Sequence, residues 1–202
     1  MTPFPKPEDL QRAMALQRSL AERVILEGSL KGVKRIAALD ASHKRGKPLV
    51  AVAVLYHLEK GPLAVGVGVV PEEALFPYVP GFLSFREAPA YLQALHSLPE
   101  PPEALLVDGQ GIAHPRGLGI ASHLGVHLDL PSIGVAKGLL YGRLEAPLPL
   151  EAGSAVRLLS PEGRPLGYAY RSRKGVKPLF SSPGHRVGLE EALAFVKHLP
   201  TR

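Results

Sequence analysis

Cysteine is absent from the 202-residue chain, which excludes a disulfide framework and thiolate chemistry. Asparagine is absent too, while proline is plentiful, a composition that suits a thermophilic source or a GC-rich genome alike. No apolar run is long enough to span a bilayer. The first residues, MTPFPKPEDLQR, do not follow the basic-then-apolar order of a secretory signal. A cytoplasmic protein without membrane attachment is expected. There is no internal repeat and no low-complexity tract, so residues 1–202 are expected to form one domain, working as a monomer. Neither the GQG nor the GVGV run has the spacing of a P-loop or a dinucleotide fingerprint. No histidine and carboxylate spacing matches a closed zinc site.

What is present in excess is positive charge. Lys and Arg number 24 against 18 Asp and Glu, a formal charge of +6, and the isoelectric point is about 9.7. A basic balance points to a polyanionic partner such as nucleic acid.

The segment PEDLQRAMALQRSLAERVIL reads as an amphipathic helix. Leu10, Ala13, Met14, Leu20 and Val24 recur at helical spacing, and Arg and Gln take the other side. RIAALDAS, PLVAVAVLYHL and PLAVGVGVV then read as three strands of an antiparallel meander. FREAPAYLQALHSL reads as a helix and EALLVD as a short buried strand. PRGLGIASHLGVHLD reads as a helix opened by Pro115, and PSIGVAK as a further buried strand. SAVRLLS, GRPLGYAYRS and KPLFSS are strands of a further sheet edge or hairpin, and GLEEALAFVKHL is a closing helix. A hairpin-rich first half followed by βαβ crossovers gives an α/β mixed sheet, antiparallel in its first three strands and then parallel, with helices on both faces. That is the outline of a ribonuclease H-like fold, and other α/β folds share it.

Two apolar strands end in an acid, IAAL at Asp40 and ALLV at Asp108. An unpaired buried carboxylate is costly, so each belongs at a sheet edge or in a cleft. If the two strands are neighbours, the aspartates converge and call for a divalent cation. Magnesium suits one or two carboxylates plus substrate phosphate, with manganese as a substitute. Glu87 stands where it could supply a third oxygen, directly or through water. A strand-end aspartate also serves as an ordinary turn cap. Lys137 ends the SIGVAK strand at the same edge, placed to offset charge on a phosphate. Arg86, His114, Arg116 and His123 are candidate nucleic-acid contacts.

Tyr78 sits between Pro77 and Pro80 on a loop that both prolines stiffen. Its ring either packs on the core or is presented as a tool. With these segments, PYVPGFLSFRE at 77–87, VDGQGIAHPRGLGIASHLG at 107–125, PSIGVAK at 131–137 and SPGHRV at 182–187, the chain resembles the endonuclease V family in the family's order. The resemblance implies a ribonuclease H-like fold with a metal site at Asp40, Glu87 and Asp108. It implies a DNA-repair enzyme that hydrolyses the second phosphodiester 3′ to a deoxyinosine, in single- or double-stranded DNA, leaving a 3′-hydroxyl and a 5′-phosphate. Inosine-containing RNA is an alternative substrate, and a reader of deaminated bases that does not cut is an alternative activity. Lys137 matches the family's active-site lysine. Pro77, Tyr78, Val79 and Pro80 match its strand-separating wedge. Backbone near Gly81, Leu83, Gly109, Gly111 and Ile120 would read the extruded base, and His185 joins the nucleic-acid contacts. The resemblance departs at His43, where many relatives carry an aromatic, and at the closing LPTR, where longer relatives continue.

Overall fold

In the computed structural model, which describes residues 4–199, the three Val- and Ala-rich segments form β1 (Arg35–Ser42), β2 (Leu49–His57) and β3 (Gly61–Val70). They pair as the expected antiparallel meander. Alternation of buried and half-buried residues along β2 matches the two-residue period of a strand with one covered face. β4 (Ala104–Asp108) then runs parallel to β1, with Leu39 opposite Val107. One residue further along both strands stand Asp40 and Asp108. β5 (Ser132–Ala136) runs parallel to β4.

The later strands extend this same sheet. β9 (Leu179–His185) pairs antiparallel with β5, followed by β8 (Pro165–Tyr170), β7 (Ala155–Leu159) and the two-residue β6 (Arg143–Leu144), which the sequence did not signal. The order across the sheet is β3-β2-β1-β4-β5-β9-β8-β7-β6.

Helices cover both faces. On one, α2 (Leu83–His96) and α3 (Ile120–Leu128) bury Leu39, Leu55, Leu105 and Val107 together with Tyr91 and Leu124. On the other, α4 (Leu189–Lys197) packs Leu193 and Val196 against Ile133 and Tyr170. Each fully buried leucine contributes about 2 kcal/mol. β3 is an edge strand, yet two of its outward amides are taken: Val67 N–H donates to Ser97 Oγ at 3.1 Å and Val69 N–H to Gln93 Oε1 at 3.0 Å.

Two helices differ from the sequence reading. α1 spans only Leu10–Ala21, capped by the Asp9 carboxylate accepting from Arg12 N–H. Its buried positions are Ala13 and Gln17, while Leu10 is exposed, so the polar Gln17 faces inward, opposite to the side assigned to Gln. α3 begins at Ile120, not near Pro115. The intervening residues form a turn closed by Gly117 N–H donating to His114 C=O, and Gly117 takes a φ of 72° that ends helical continuity.

Candidate active site

Parallel pairing of β1 and β4 delivers Asp40 and Asp108 to the same edge of the sheet. Both are exposed at that edge, and their side chains hydrogen-bond to each other. Burial on its protein side, then the Asp40 hydrogen bond and charge, push the Asp108 carboxyl up to about 6, against a smaller opposing pull from Lys137. Lys137, one residue past β5, shares a groove with the two aspartates. The three side chains that two neighbouring strand ends and a third were expected to gather are therefore together.

Glu87, on α2, lines the same cavity as Asp108 and is nearly buried. Its Oε1 lies 2.7 Å from His43 Nε2, at the end of the β1 hairpin, and the Tyr91 hydroxyl hydrogen-bonds to it from the next turn of α2. Burial and the charges of Glu87, Asp40 and Asp108 all raise the Tyr91 phenol, so it stays protonated and donates. His43, noted from the sequence as a departure that bears on contacts beside the metal, bonds Glu87, whereas Tyr91 was not singled out. Tyr91 reads as an ordinary apolar-face aromatic, and its distance of four residues from Glu87 is the only signal. Among the described residues no three histidines or carboxylates close around one point. Two solvent-facing carboxylates held so close that one is driven toward protonation fit a hard dication, and an open pair suits magnesium, which keeps waters and takes substrate oxygens rather than a full protein cage.

Beside the acids lies a cavity of about 320 Å³. Tyr78, Pro80, Gly81 and Leu83 form one wall, Gly109 and Ile120 another, and Glu87 and Asp108 reach its side. Of the expected base-pocket residues, Gly111 is the exception. It is buried against Ser182 and Pro183, where its N–H donates to Ser182 Oγ at 2.8 Å. Two helices start at this cavity, α2 at Leu83 and α3 at Ile120, and no side chain caps either N-terminus. Phe85 N–H donates to Phe82 C=O and Ala121 N–H to Gln110 C=O, while among the described residues the N–H groups of Leu83 and Ile120 have no acceptor, and the helix dipoles add positive potential.

The turn at Gly81 is fixed by an arrangement absent from the sequence reading. Gly81 has φ 85°, which favours glycine. Its carbonyl accepts from Gln17 Nε2 at 2.9 Å, from Arg116 Nη2 at 2.9 Å and from His114 Nε2 at 2.7 Å. Gln17 Oε1 in turn accepts from Arg116 Nε. The adjoining Tyr78 is 62 % exposed, which decides against core packing of its ring. His43 meets it edge-on at 6.1 Å between centroids, and the Arg86 guanidinium lies 5.9 Å from it.

All five of the expected nucleic-acid contacts have partners within the protein. His114 is buried and holds Gly81, and burial lowers it to about 4. His123 is buried between Phe4 and Phe85, bonded to Ser84 Oγ at 2.8 Å and lowered by burial to about 3. His185 is buried, accepts from Ile25 N–H at Nδ1 and bonds Asp129 through Nε2. A histidine sealed in the interior cannot touch a phosphate. Arg86 donates to Phe76 C=O at 2.8 Å and so braces the proline loop, and Arg116 stacks over Phe82 at 4.3 Å.

A mixed sheet flanked by helices, with paired aspartates on adjacent strand ends and a lysine beside them, defines a nuclease of the ribonuclease H-like class. The profile of the family described as Endonuclease V matches residues 18–202. Endonuclease V of Thermus thermophilus is 78% identical over 200 residues, covering 99% of this chain and 88% of that protein. The structure of endonuclease V from Streptomyces avermitilis aligns with a TM-score of 0.85 at 41% identity, over 96% of this chain and 84% of that one. The catalytic domain of human endonuclease V aligns at 0.83 and 34%, over 96% and 88%. The Ciona intestinalis endonuclease V complex with a 23mer DNA containing an inosine followed by a ribo-adenosine aligns at 0.83 and 27%, over 98% and 91%. The chain belongs to the endonuclease V family.

Proposed function

We propose that this nuclease recognises deoxyinosine, the product of adenine deamination, and hydrolyses the second phosphodiester bond on its 3′ side. A base must leave its stack to be inspected, which costs a few kcal/mol and least at a mispair. Tyr78 is exposed on a loop held by Pro77, Pro80 and the bond from Arg86 to Phe76. A ring held this way fills the vacated stack without a large ordering cost.

The cavity between the two uncapped helix starts carries the reading. Hypoxanthine differs from adenine in presenting a C6 oxygen and an N1–H in place of an amino group and a bare N1. Unpaired N–H donors at Leu83 and Ile120 attract the oxygen and offer adenine's amino group no acceptor. Glu87 and Asp108 lie along the same cavity, and Asp108 also lines the groove that holds Asp40 and Lys137, so a lodged base brings its 3′ strand across Asp40, Asp108 and Lys137.

Asp40 and Asp108, with Glu87 beside them, would hold a divalent ion such as magnesium or manganese, which would supply activation of the attacking water and stabilisation of the leaving oxygen. Lys137 offsets charge on the phosphate. His43 and Tyr91 keep Glu87 in one orientation, and the protonated Tyr91 phenol lowers the cost of three acids at close quarters. The products are a 3′-hydroxyl and a 5′-phosphate.

The test uses paired end-labelled strands, with and without one deoxyinosine, in magnesium or EDTA, beside an inosine-containing RNA of the same sequence. A single nick past the deoxyinosine, dependent on magnesium, is expected. Cutting that ignores the lesion points to a general nuclease, binding without a nick to a reader, and stronger cutting of the RNA to a ribonuclease.

A further inference from the structure

We propose that two basic loops form a clamp for the phosphate backbones of duplex nucleic acid, one on each side of the paired aspartates. The inference rests on the nuclease reading and names how the site holds its substrate before any base is read.

The topology puts the loops there. β1 ends at the active edge, so the hairpin to β2 emerges beside Asp40, with the sequence HKRGKP at 43–48. β9 is antiparallel to β5, with Phe180 opposite Ala136, so the loop that enters β9 emerges at the same edge beside Lys137, with the sequence RSRKGVKP at 171–178. Lys44, Arg45 and Lys47 are exposed on the first loop, and Arg173, Lys174 and Lys177 on the second. Neither loop contains an acid. Among the described residues none of these six side chains has a hydrogen bond or an ion pair; Glu72 meets the first loop at its backbone, accepting from Gly46 N–H at 3.1 Å. Arg171 is excluded from the set, since it is buried and bonded to the carbonyls of Pro149 and Val176.

The charge balance is informative. The chain has 24 basic residues against 18 acidic ones, so these six equal the entire excess. Net charge spread at random would serve solubility. Charge gathered on two unpaired loops at the catalytic edge serves a polyanion, and it offsets the repulsion that Asp40 and Asp108 exert on an approaching phosphate.

The spacing selects a duplex. From the β1–β2 hairpin to the β8–β9 loop there are four strand intervals, or about 19 Å at ~4.8 Å each. That exceeds the ~12 Å width of a major groove, so the arms straddle a groove and meet phosphates on both of its walls, with the aspartates between them.

The experiment measures binding of a 30-base-pair duplex without a lesion by fluorescence anisotropy across a salt series in EDTA. It compares the native protein, the variant Lys44→Ser/Arg45→Ser/Lys47→Ser, the variant Arg173→Ser/Lys174→Ser/Lys177→Ser, and the control Lys31→Ser/Lys34→Ser/Lys60→Ser, whose lysines lie at the opposite edge of the sheet. Each neutralised phosphate contributes roughly 0.9 to the slope of log affinity against log salt. Each arm variant is expected to lower that slope by about 2 to 3, and the control to leave it unchanged. An unchanged slope in either arm variant, or an equal loss in the control, overturns the clamp. Melting temperatures confirm that each variant is folded. Magnesium-dependent nicking at deoxyinosine by the arm variants in low salt separates loss of the clamp from failure of the nuclease reading.

Discussion

Gln17 on the first helix donates to the carbonyl of Gly81, 64 residues away, at 2.9 Å. A fully buried amide thus ties α1 to the turn between the proline loop and the base cavity. Gln17→Leu removes that donor and leaves Arg116 Nε without its acceptor. A loss of about 1 to 3 kcal/mol is expected from the unpaired group, read as a lower denaturation midpoint. The ratio of nicking at deoxyinosine to nicking at adenine should fall as well. Unchanged discrimination would confine Gln17 to a structural role.

His43 joins the acid cluster to the exposed tyrosine, and its two contacts are separable. His43→Phe keeps a ring against Tyr78 and loses the bond to Glu87. His43→Gln keeps a donor for Glu87 and loses the ring. Partners that orient a ligand-bearing acid are worth roughly 10- to 100-fold. A drop of that size in nicking rate, with lesion binding intact, is expected for the Phe variant. The Gln variant should show the opposite pattern in a paired rate and binding measurement.

Asp108→Ala should abolish nicking while sparing much lesion binding, because it removes an acid and relieves repulsion of the phosphate. Tyr78→Ala should do the reverse, weakening binding to deoxyinosine without altering magnesium affinity. Normal lesion recognition by the Tyr78 variant would remove the ring from the mechanism.

Gly109→Ala should close the base cavity. A Cβ there would lie 2.4 Å from Ile120 Cγ2, and Ile120 forms part of the cavity wall. Lesion affinity is expected to fall at least tenfold with the fold retained, measured by anisotropy beside a melting curve. Retained affinity would show that the base lodges elsewhere.

Stability should fall on mild acidification because of His114 and His123. Both are held neutral by burial, lowered from an ordinary 6.5 to about 4 and about 3. Below pH 6.5 the unfolded chain takes up protons that the folded chain refuses, so stability is lost as pH falls from about 6.5 toward 3 to 4. The loss is on the order of a few kcal/mol in all. His114→Gln, which keeps a donor for Gly81, should flatten part of that slope in melts across pH. An unchanged slope would place the acid sensitivity elsewhere.

Much of the scaffold was legible because strands announce themselves by period. Runs such as AVAVLY and GVGVV admit little besides a meander, and the acids at Asp40 and Asp108 stood out as charges closing apolar runs. Where polarity is a poor guide to location, the reading failed. Gln17, His123 and His185 are polar and fully enclosed, each because a partner far along the chain accepts or donates a bond. His114, near Arg116 in sequence, looked like a phosphate contact and is instead a brace. Pro115 suggested a helix start, but Gly117 and Gly119 in the next stretch favour a turn, and α3 waits until Ile120. The uncapped starts of α2 and α3 escaped notice for a related reason, since a missing cap leaves no residue to see.

The edge of the sheet at β3 carries a further consequence. An open strand of alternating valines would ordinarily invite another chain to align alongside it. Because Ser97 and Gln93 already occupy the amides of Val67 and Val69, an incoming strand finds those donors spent. The ladder terminates within one molecule, and the protein gains resistance to fibre growth at its most aggregation-prone border.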